Sequence, residues 1–248
     1  MANTHNTKAI ILKAVPYGDT SLIVTAFTEL YGVQSYLVKG VRKSTKNQAA
    51  KAVYFQPAAL LDMVVYHNPL KALNYIKEYK WAVVYQDVYH NVVKNAIAQY
   101  CIELLLKCLK QPDDNPELYY FVEDVLQALD AAQGIVLSNM PIYFALQLPN
   151  ILGVQIIDDY TDANHILDLK DGCYTHTNPA HQYVVGMPYS KLISDYSKAL
   201  QPSHLQDIQC NGATRSIILD ALETFYKLHI SDFGTIKTLP ILRAIISG

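Results

Sequence analysis

The stretch that decides the fold is Val15–Lys46, with the sequence VPYGDTSLIVTAFTELYGVQSYLVKGVRKSTK. Within it, short β-branched or apolar runs alternate with Pro, Gly and Asp turn signals at Pro16–Asp19 and at Tyr31–Gly32. The apolar runs, including one just upstream, are Ile10–Leu12, Leu22–Val24 and Tyr36–Val38. This pattern predicts an antiparallel meander of short strands.

The third of these strands ends in a basic loop. It carries four cations within eight residues, Lys39, Arg42, Lys43 and Lys46, and no carboxylate stands among them. A phosphate backbone is a natural counter-charge for such a cluster. The loop therefore predicts a nucleic-acid contact.

Two further strand-like runs, Leu60–Tyr66 and Leu73–Trp81, follow the loop. Five short strands in the first 80 residues predict a small OB-type barrel, which binds single strands with a basic groove and stacking aromatic residues. A five-stranded barrel without a ligand has the same strand count, and the cation cluster favours the binding form. The predicted DNA-binding residues are Lys39, Arg42, Lys43, Lys46, Lys13 and Lys51 as phosphate contacts, with Tyr36, Tyr54 and Tyr66 as stacking candidates.

After residue 80 the hydrophobic period changes from 2 to 3.6. One apolar stripe comprises Val93, Ile97, Cys101, Leu104 and Cys108, and Lys94 falls off it, which predicts an amphipathic helix. Asn115 and Asn211 are predicted to cap later helices. The fold class is therefore α+β: an amino-terminal five-stranded OB-fold barrel over residues 1–80, then a mainly α-helical domain over 81–248 with an irregular insert at about 154–190.

The net charge of −2 conceals an asymmetry between these two parts. Residues 1–80 hold 10 Lys and Arg against 4 Asp and Glu, a balance of +6, and the remainder holds 10 against 18, a balance of −8. A basic module is expected to contact nucleic acid, whereas an acidic one is not.

No enzyme signature occurs in the sequence: it lacks a phosphate-binding P-loop, a nucleophile elbow and a zinc-protease motif. The pair Asp158–Asp159 is the one feature that suggests a magnesium nuclease, and it needs further carboxylates from the fold. We expect a protein that is not an enzyme and has no cofactor. The apolar run at Ala9–Leu12 is too short for a signal peptide or a membrane span, so we expect a cytoplasmic protein.

Several motifs in this order resemble the amino-terminal OB-fold of the bacterial recombination mediator family RecO. They are Tyr17–Ser21, Phe27–Glu29, Tyr31–Gly32 and Lys39–Ser44. The helical middle and the carboxyl-terminal part, taken to include a helix ending near Leu239, fit the same family by pattern. The resemblance implies binding of single- and double-stranded DNA, strand annealing, contact with RecR and with the single-stranded-DNA-binding protein SSB, and a place with the nucleoid. The alternative is an interaction scaffold whose barrel does not bind DNA.

Many members of that family carry a four-cysteine zinc site in the irregular insert, and this sequence departs from the pattern. Cys173 has no second cysteine nearby, and Cys173, His176 and His181 give three ligands where structural zinc takes four. We predict no metal and leave a vestigial site open.

The acidic tail of SSB, which ends in an apolar residue and a carboxylate, is expected to bind the helical domain. Such a peptide needs an apolar groove, which the stripes at 91–110 and 213–229 would border, and cations at its rim. The available cations are Lys94, Lys107, Lys110, Arg215 and Lys227.

Overall fold

The computed structural model describes residues 4–42, 51–109 and 114–246. The chain divides into two compact units, one of residues up to Gln86 with Leu109–Gln127, and one of Asp87–Cys108 with the residues from Ala128 onward. The first segment therefore ends near the expected boundary at residue 80. The return of residues 109–127 to the first unit is not visible in the sequence pattern.

The first unit is built on a closed five-stranded barrel. Its strands, in chain order, are β1 (Thr4–Tyr17), β2 (Ser21–Thr28), β3 (Gly32–Val38), β4 (Leu60–Tyr66) and β5 (Asn74–Trp81), with a short 3₁₀ helix at Val53–Phe55 between β3 and β4. The order around the barrel is β1-β2-β3-β5-β4, and every pairing is antiparallel except that of β3 with β5. The predicted five-stranded OB barrel is confirmed.

Buried and more exposed residues alternate along much of the barrel because every second side chain of a strand points inward. The inward set on β2 and β3 comprises Leu22, Val24, Ala26, Tyr36 and Val38, which join apolar residues of the other strands. Bulges between Ile11 and Lys13 and between Val64 and Val65 shift the register of β1 and β5. The residues between these inward positions face out of the barrel.

The first three turns of a helix pack on the outside of this barrel. Helix α2 (Pro116–Ala131) begins at Asn115, whose side chain accepts a hydrogen bond from the Leu118 N–H at 2.9 Å, as the sequence predicts. The Tyr119 ring lies 5.8 Å from that of Phe27, and Glu123 accepts two hydrogen bonds from Lys8 Nζ at 3.1 and 3.2 Å. Although partial burial opposes the charge on Lys8, the Glu123 carboxylate raises the pKa of this lysine.

The second unit is helical with a small sheet. Its helices are α1 (Val92–Cys108), the last turn of α2, α3 (Gly134–Ile151), α4 (Tyr189–Ser197), α5 (Gly212–His229) and α6 (Leu239–Ile246), with a 3₁₀ helix at Pro202–Asp207. Helix α3 is largely buried from Asn139 to Pro149 and packs against α1, α4 and α5, while α6 packs on α1. Asn211 caps α5 by accepting from the Thr214 N–H at 2.8 Å, which confirms that prediction.

Two expectations for this unit need correction. A carboxyl-terminal helix ending near Leu239 is wrong, because α5 ends at His229 and α6 begins at Leu239. The insert at 154–190 is less irregular than expected, since β6 (Ile166–Asp168) pairs with both β7 (Cys173–Thr175) and β8 (Val184–Val185) in a three-stranded sheet.

Candidate nucleic-acid interface

A row of apolar and aromatic side chains crosses the outside of the barrel. Val15 pairs with Ile23, Ile23 with Leu37, Leu37 with Tyr75, and Tyr75 with Tyr66 on five neighbouring strands. Tyr75 is 42% exposed and the other four are half-buried. We call these five residues the outer row. Such a surface offers planar and apolar faces to unpaired bases without selecting among them.

Four exposed cations border the outer row, and we call Lys13, Lys39, Arg42 and Lys71 the flanking cations. Lys13 lies two residues before Val15 on the same face of β1. The Lys39 Nζ lies 5.6 Å from the centre of the Tyr75 ring. The spacing places a positive charge beside an exposed ring, which is the combination that binds a phosphate and its neighbouring base.

The loop that carries Arg42 is fixed to the turn between β1 and β2. The Arg42 N–H donates to the Thr20 carbonyl at 3.0 Å, and its guanidinium donates to the Gly18 carbonyl at 3.1 Å. Gly40, with a φ of 71°, supplies the left-handed turn that brings the chain back. Arg42 therefore projects from an anchored loop.

None of the flanking cations forms an ion pair with a carboxylate in the described part of the chain. In contrast, Lys77 pairs with Glu78 at 3.5 Å and Lys80 with Asp62 at 3.3 Å, both further along β5. A cation without a protein carboxylate keeps its charge for an external phosphate. Phosphate binding is therefore favoured near Tyr75, at the start of β5, where Lys39 lies.

The region around Lys80 has the opposite character. A cleft of about 530 Å³ there is lined by Lys8 and Lys80 but also by Glu29, Asp62 and Glu78. Three carboxylates against two lysines repel a phosphate chain. The barrel surface thus has one side that suits DNA and one that does not.

The three tyrosines proposed for stacking have different positions. Tyr36 is fully buried in the barrel core, burial raises its pKa, and its hydroxyl has no hydrogen-bond partner, so its assignment as a base-stacking residue is wrong. Tyr54 is half-buried and stacks on Trp81 at 4.5 Å, next to the core. Tyr66 belongs to the outer row, beside Tyr75.

Of the predicted cations, Lys13, Lys39 and Arg42 flank the outer row, and Lys51 is exposed ahead of the 3₁₀ helix at Val53–Phe55. Lys43 and Lys46 lie outside the described residues. The sequence reasoning missed Leu37, Tyr75 and Lys71. The alternation on β3 contained the signal, because Tyr36 and Leu37 necessarily face opposite sides of the sheet.

The cations expected to bind the SSB tail are largely engaged within the helical unit. Lys94 is only 2% exposed and donates to Asp87 Oδ2 at 2.9 Å and to the Asp130 carbonyl, so its assignment to a solvent-facing groove rim is wrong. Arg215 is 8% exposed and its guanidinium donates to the Cys210 carbonyl, so its assignment to the groove rim is also wrong.

The other three cations of that set differ in exposure. The half-buried Lys107 donates to the Phe233 carbonyl at 2.9 Å, and the exposed Lys227 pairs with Glu223 at 3.3 Å. Lys110 lies outside the described residues. Lys227 is thus the most accessible described cation of this group.

An apolar cleft of about 490 Å³ does exist in the helical unit, in a different place from the one expected. It lies between the start of α1 and α6, and its walls include Val92, Ala96, Ile241 and Ile245. Val92 is 71% and Ile241 60% exposed. His90 is the only basic residue among its lining residues.

The insert contains the residues considered for zinc. His181 Nε2 lies 3.2 Å from Asp168 Oδ2, Cys173 is half-buried in β7, and His176 is exposed. Asp168 also accepts the Lys170 N–H at 2.8 Å. Among the described residues, no group of three His, Cys, Asp or Glu side chains is arranged to hold a metal ion.

The closed barrel and its strand order define an OB fold, joined to a helical unit. A family description for the amino-terminal part of recombination protein O matches residues 1–85, and one for its carboxyl-terminal part matches residues 89–237. The chain belongs to the recombination protein O family.

Curated relatives agree over nearly the whole length. A protein from Christiangramia forsetii is 31% identical over 240 residues, covering 97% of this chain and 98% of the relative. Proteins from Flavobacterium johnsoniae and Bacteroides fragilis are 29% and 28% identical and cover 97% and 96% of this chain and 98% of each relative. All three are named DNA repair protein RecO. Within the described ranges, no helix is both long and apolar enough to span a membrane.

Proposed function

We propose that this protein is a non-catalytic mediator of DNA repair by recombination. Its barrel binds single-stranded DNA, it brings complementary strands together, and it helps to load a recombinase onto DNA covered by SSB. Membership in the recombination protein O family supports the repair role. We place its action on the chromosome, at the gaps and breaks where single strands are exposed.

The observation that carries the proposal is the outer row beside unpaired cations. The exposed Tyr75 and the half-buried Leu37 lie side by side on adjacent strands, and the Lys39 ammonium lies 5.6 Å from the Tyr75 ring. Aromatic faces stack on any base, and phosphate contacts carry no base information. Binding is therefore expected to depend little on sequence.

Strand annealing follows from the same surface. Two DNA strands approach each other against the repulsion of their phosphates, and a basic surface lowers this barrier. The +6 balance of residues 1–80 supplies that charge. The exposed flanking cations can neutralise phosphates of one strand while its bases remain reachable by a second. The same cations are expected to bind the backbone phosphates of double-stranded DNA as well.

The candidate nuclease carboxylates have structural roles in the described insert, which supports a non-catalytic function. Asp158 pairs with Lys198 at 3.5 Å, and Asp159 Oδ1 accepts the Tyr174 N–H at 2.8 Å. A carboxylate held in this way is less available to bind magnesium with a second one. We propose that the protein needs no metal or other cofactor.

We assign contact with SSB to the helical unit and also propose RecR as a partner. The apolar cleft between α1 and α6 suits the apolar residue at the end of the SSB tail, while the accessible cations are few. Because residues 81–248 have a charge balance of −8, long-range attraction does not assist an acidic peptide. The affinity is therefore expected in the micromolar range, roughly −8 kcal/mol.

The test is a titration of a fluorescently labelled single-stranded oligonucleotide, followed by anisotropy over a series of salt concentrations. If about four phosphates are neutralised, log K falls with log salt with a slope of roughly −3. Oligonucleotides of different sequence serve as the control for specificity. A slope near zero, or no binding at low salt, would reject the DNA-binding function and leave the interaction scaffold.

A further inference from the structure

The loop between β4 and β5 presents a leucine almost completely to solvent. Leu70 is 93% exposed, more than any other large apolar residue in the described ranges. Pro69 precedes it and Lys71 follows it, and both are exposed. The core of the barrel makes no use of this side chain, and its exposure leaves it free for an external apolar partner.

Local hydrogen bonds hold the tip of this loop in one shape. The Asn68 side chain accepts the Leu70 N–H at 2.9 Å, and the Asn68 carbonyl accepts the Lys71 N–H at 3.0 Å. This is a β-turn with Asn first and Pro second, the positions that these residues favour. The Asn74 side chain accepts the Asn68 N–H at 3.0 Å and ties the turn to β5. Leu70 is therefore presented on a preorganised tip, which lowers the entropic cost of inserting it.

The tip adjoins the proposed DNA surface. Tyr66 and Tyr75 of the outer row stand on either side of the loop, at the end of β4 and near the start of β5. Lys71, one of the flanking cations, lies on this loop. A DNA strand that lies on the outer row therefore passes close to Leu70 where it leaves the Tyr75 ring.

A cleft of about 640 Å³ lies beside the tip and has mixed walls. Leu30, Tyr31 and Leu70 line it, with the Tyr31 ring stacked on His67 at 3.8 Å. Lys71 and the Asp114 carboxylate also line it, so their charges balance and the cleft has no net positive charge to attract a phosphate. A cleft of mixed polarity with an aromatic ring in its wall and no net positive charge fits a base better than a phosphate backbone.

On this basis we propose that Leu70 is a wedge, which inserts into the last base step of a duplex where the paired strand becomes single. The proposal rests on the single-strand binding assigned to the outer row. Lys71 contacts a phosphate next to the step, and one displaced base enters the cleft beside Leu70. Apolar wedges of this kind, often Leu or Pro, partly unstack a base step in other DNA-binding proteins. The substrate is thus a junction between duplex and single strand.

The test measures the affinity of the whole chain for three DNAs: a single strand, a blunt duplex, and a duplex with a single-stranded overhang. The single strand has about 16 nucleotides, near the upper site size of an OB fold. The junction carries 2-aminopurine at its last pair, because the fluorescence of this base rises when it unstacks. We expect preferential binding of the junction DNA and a rise in fluorescence on binding. The variant Leu70→Ala should lose about tenfold in junction affinity and most of the rise, with single-strand affinity within about twofold.

Leu200→Ala is the matched control, because Leu200 is 80% exposed on the surface of the helical unit. This variant should leave the affinities for all three DNAs and the rise in 2-aminopurine fluorescence unchanged. Equal affinity of the wild type for the single strand and the junction, or an unchanged fluorescence rise in Leu70→Ala, overturns the wedge while the outer-row function stands. Absence of binding to all three DNAs overturns both.

Discussion

The cations of the barrel and those of the helical unit look alike in the sequence and have different roles in the fold. Lys13, Lys39 and Arg42 are exposed and form no ion pair with a described carboxylate. Lys94 and Arg215 are buried and donate to acceptors of their own unit. The number of cations in a segment therefore says little about its ligand. What matters is whether the fold buries a cation with its acceptors or leaves it exposed to solvent and to an external phosphate.

The strongest test of this contrast replaces the buried cation. Lys94→Met should lower the free energy of unfolding by about 3 kcal/mol, because it removes the two hydrogen bonds that the buried ammonium donates to the Asp87 carboxylate and the Asp130 carbonyl, each worth about 1.5 kcal/mol. Chemical denaturation followed by circular dichroism measures this change. Lys227→Met is the control, since the exposed pair with Glu223 contributes at most about 0.5 kcal/mol. Equal effects of the two substitutions would contradict the contrast.

The converse test reverses charges on the barrel. The double variant Lys39→Glu/Arg42→Glu should bind single-stranded DNA about a hundredfold more weakly at low salt, because two attractive contacts become repulsive. Anisotropy titration measures the affinity, and an unchanged melting temperature shows that the barrel is intact. Lys227→Glu in the helical unit should have little effect on DNA binding. A similar loss in both proteins would mean that net charge, rather than the flanking cations, governs binding.

A third test separates the outside of the barrel from its core. Tyr75→Ala should weaken single-strand binding about tenfold, because the loss of a stacked ring costs about 1–3 kcal/mol per base. Tyr36→Phe removes a hydroxyl that is buried without a partner and should leave DNA affinity unchanged. The same anisotropy titration reads out both variants. Loss of binding in Tyr36→Phe with none in Tyr75→Ala would exchange the two roles.

The smallest expected effect concerns a carboxylate of the helical unit. Although partial burial opposes its charge, Glu103 accepts hydrogen bonds from the Lys237 and Thr238 N–H groups just before α6 and from the Thr238 hydroxyl, all at 2.7–2.8 Å, and these lower its pKa. Glu103→Gln should therefore cost about 1 kcal/mol of stability near neutral pH, similar to the loss of a helix cap.

The pH dependence gives this last prediction its sign. Since the folded pKa of Glu103 is lowered, the carboxylate stabilises the fold above its usual unfolded value of about 4.3 and loses this contribution as the pH falls through the folded pKa. The difference between wild type and Glu103→Gln should therefore shrink in acid, as measured by urea unfolding at several pH values. Glu117→Gln, at an exposed position on α2, is the control. A difference that is constant with pH would rule out the ionic contribution.

The sequence alone determined the five strands, the change to helical periodicity after residue 80, and the caps at Asn115 and Asn211. These features are local, because period-2 and period-3.6 patterns and capping side chains act over a few residues. The order of motifs in the first 46 residues also pointed to the right family. The basic character of the first 80 residues follows from composition.

The tertiary structure alone decided which side of each strand faces out and which cations are exposed. Alternation separates Tyr36 from Leu37 but leaves open which faces the core, and closure of the barrel buries Tyr36 and places Leu37 beside Tyr75. Likewise Lys94 lies off the apolar stripe of α1, and only the approach of Asp130, 36 residues away, shows that it is buried. The physical reason is that burial and pairing depend on contacts between distant segments, which no local pattern encodes.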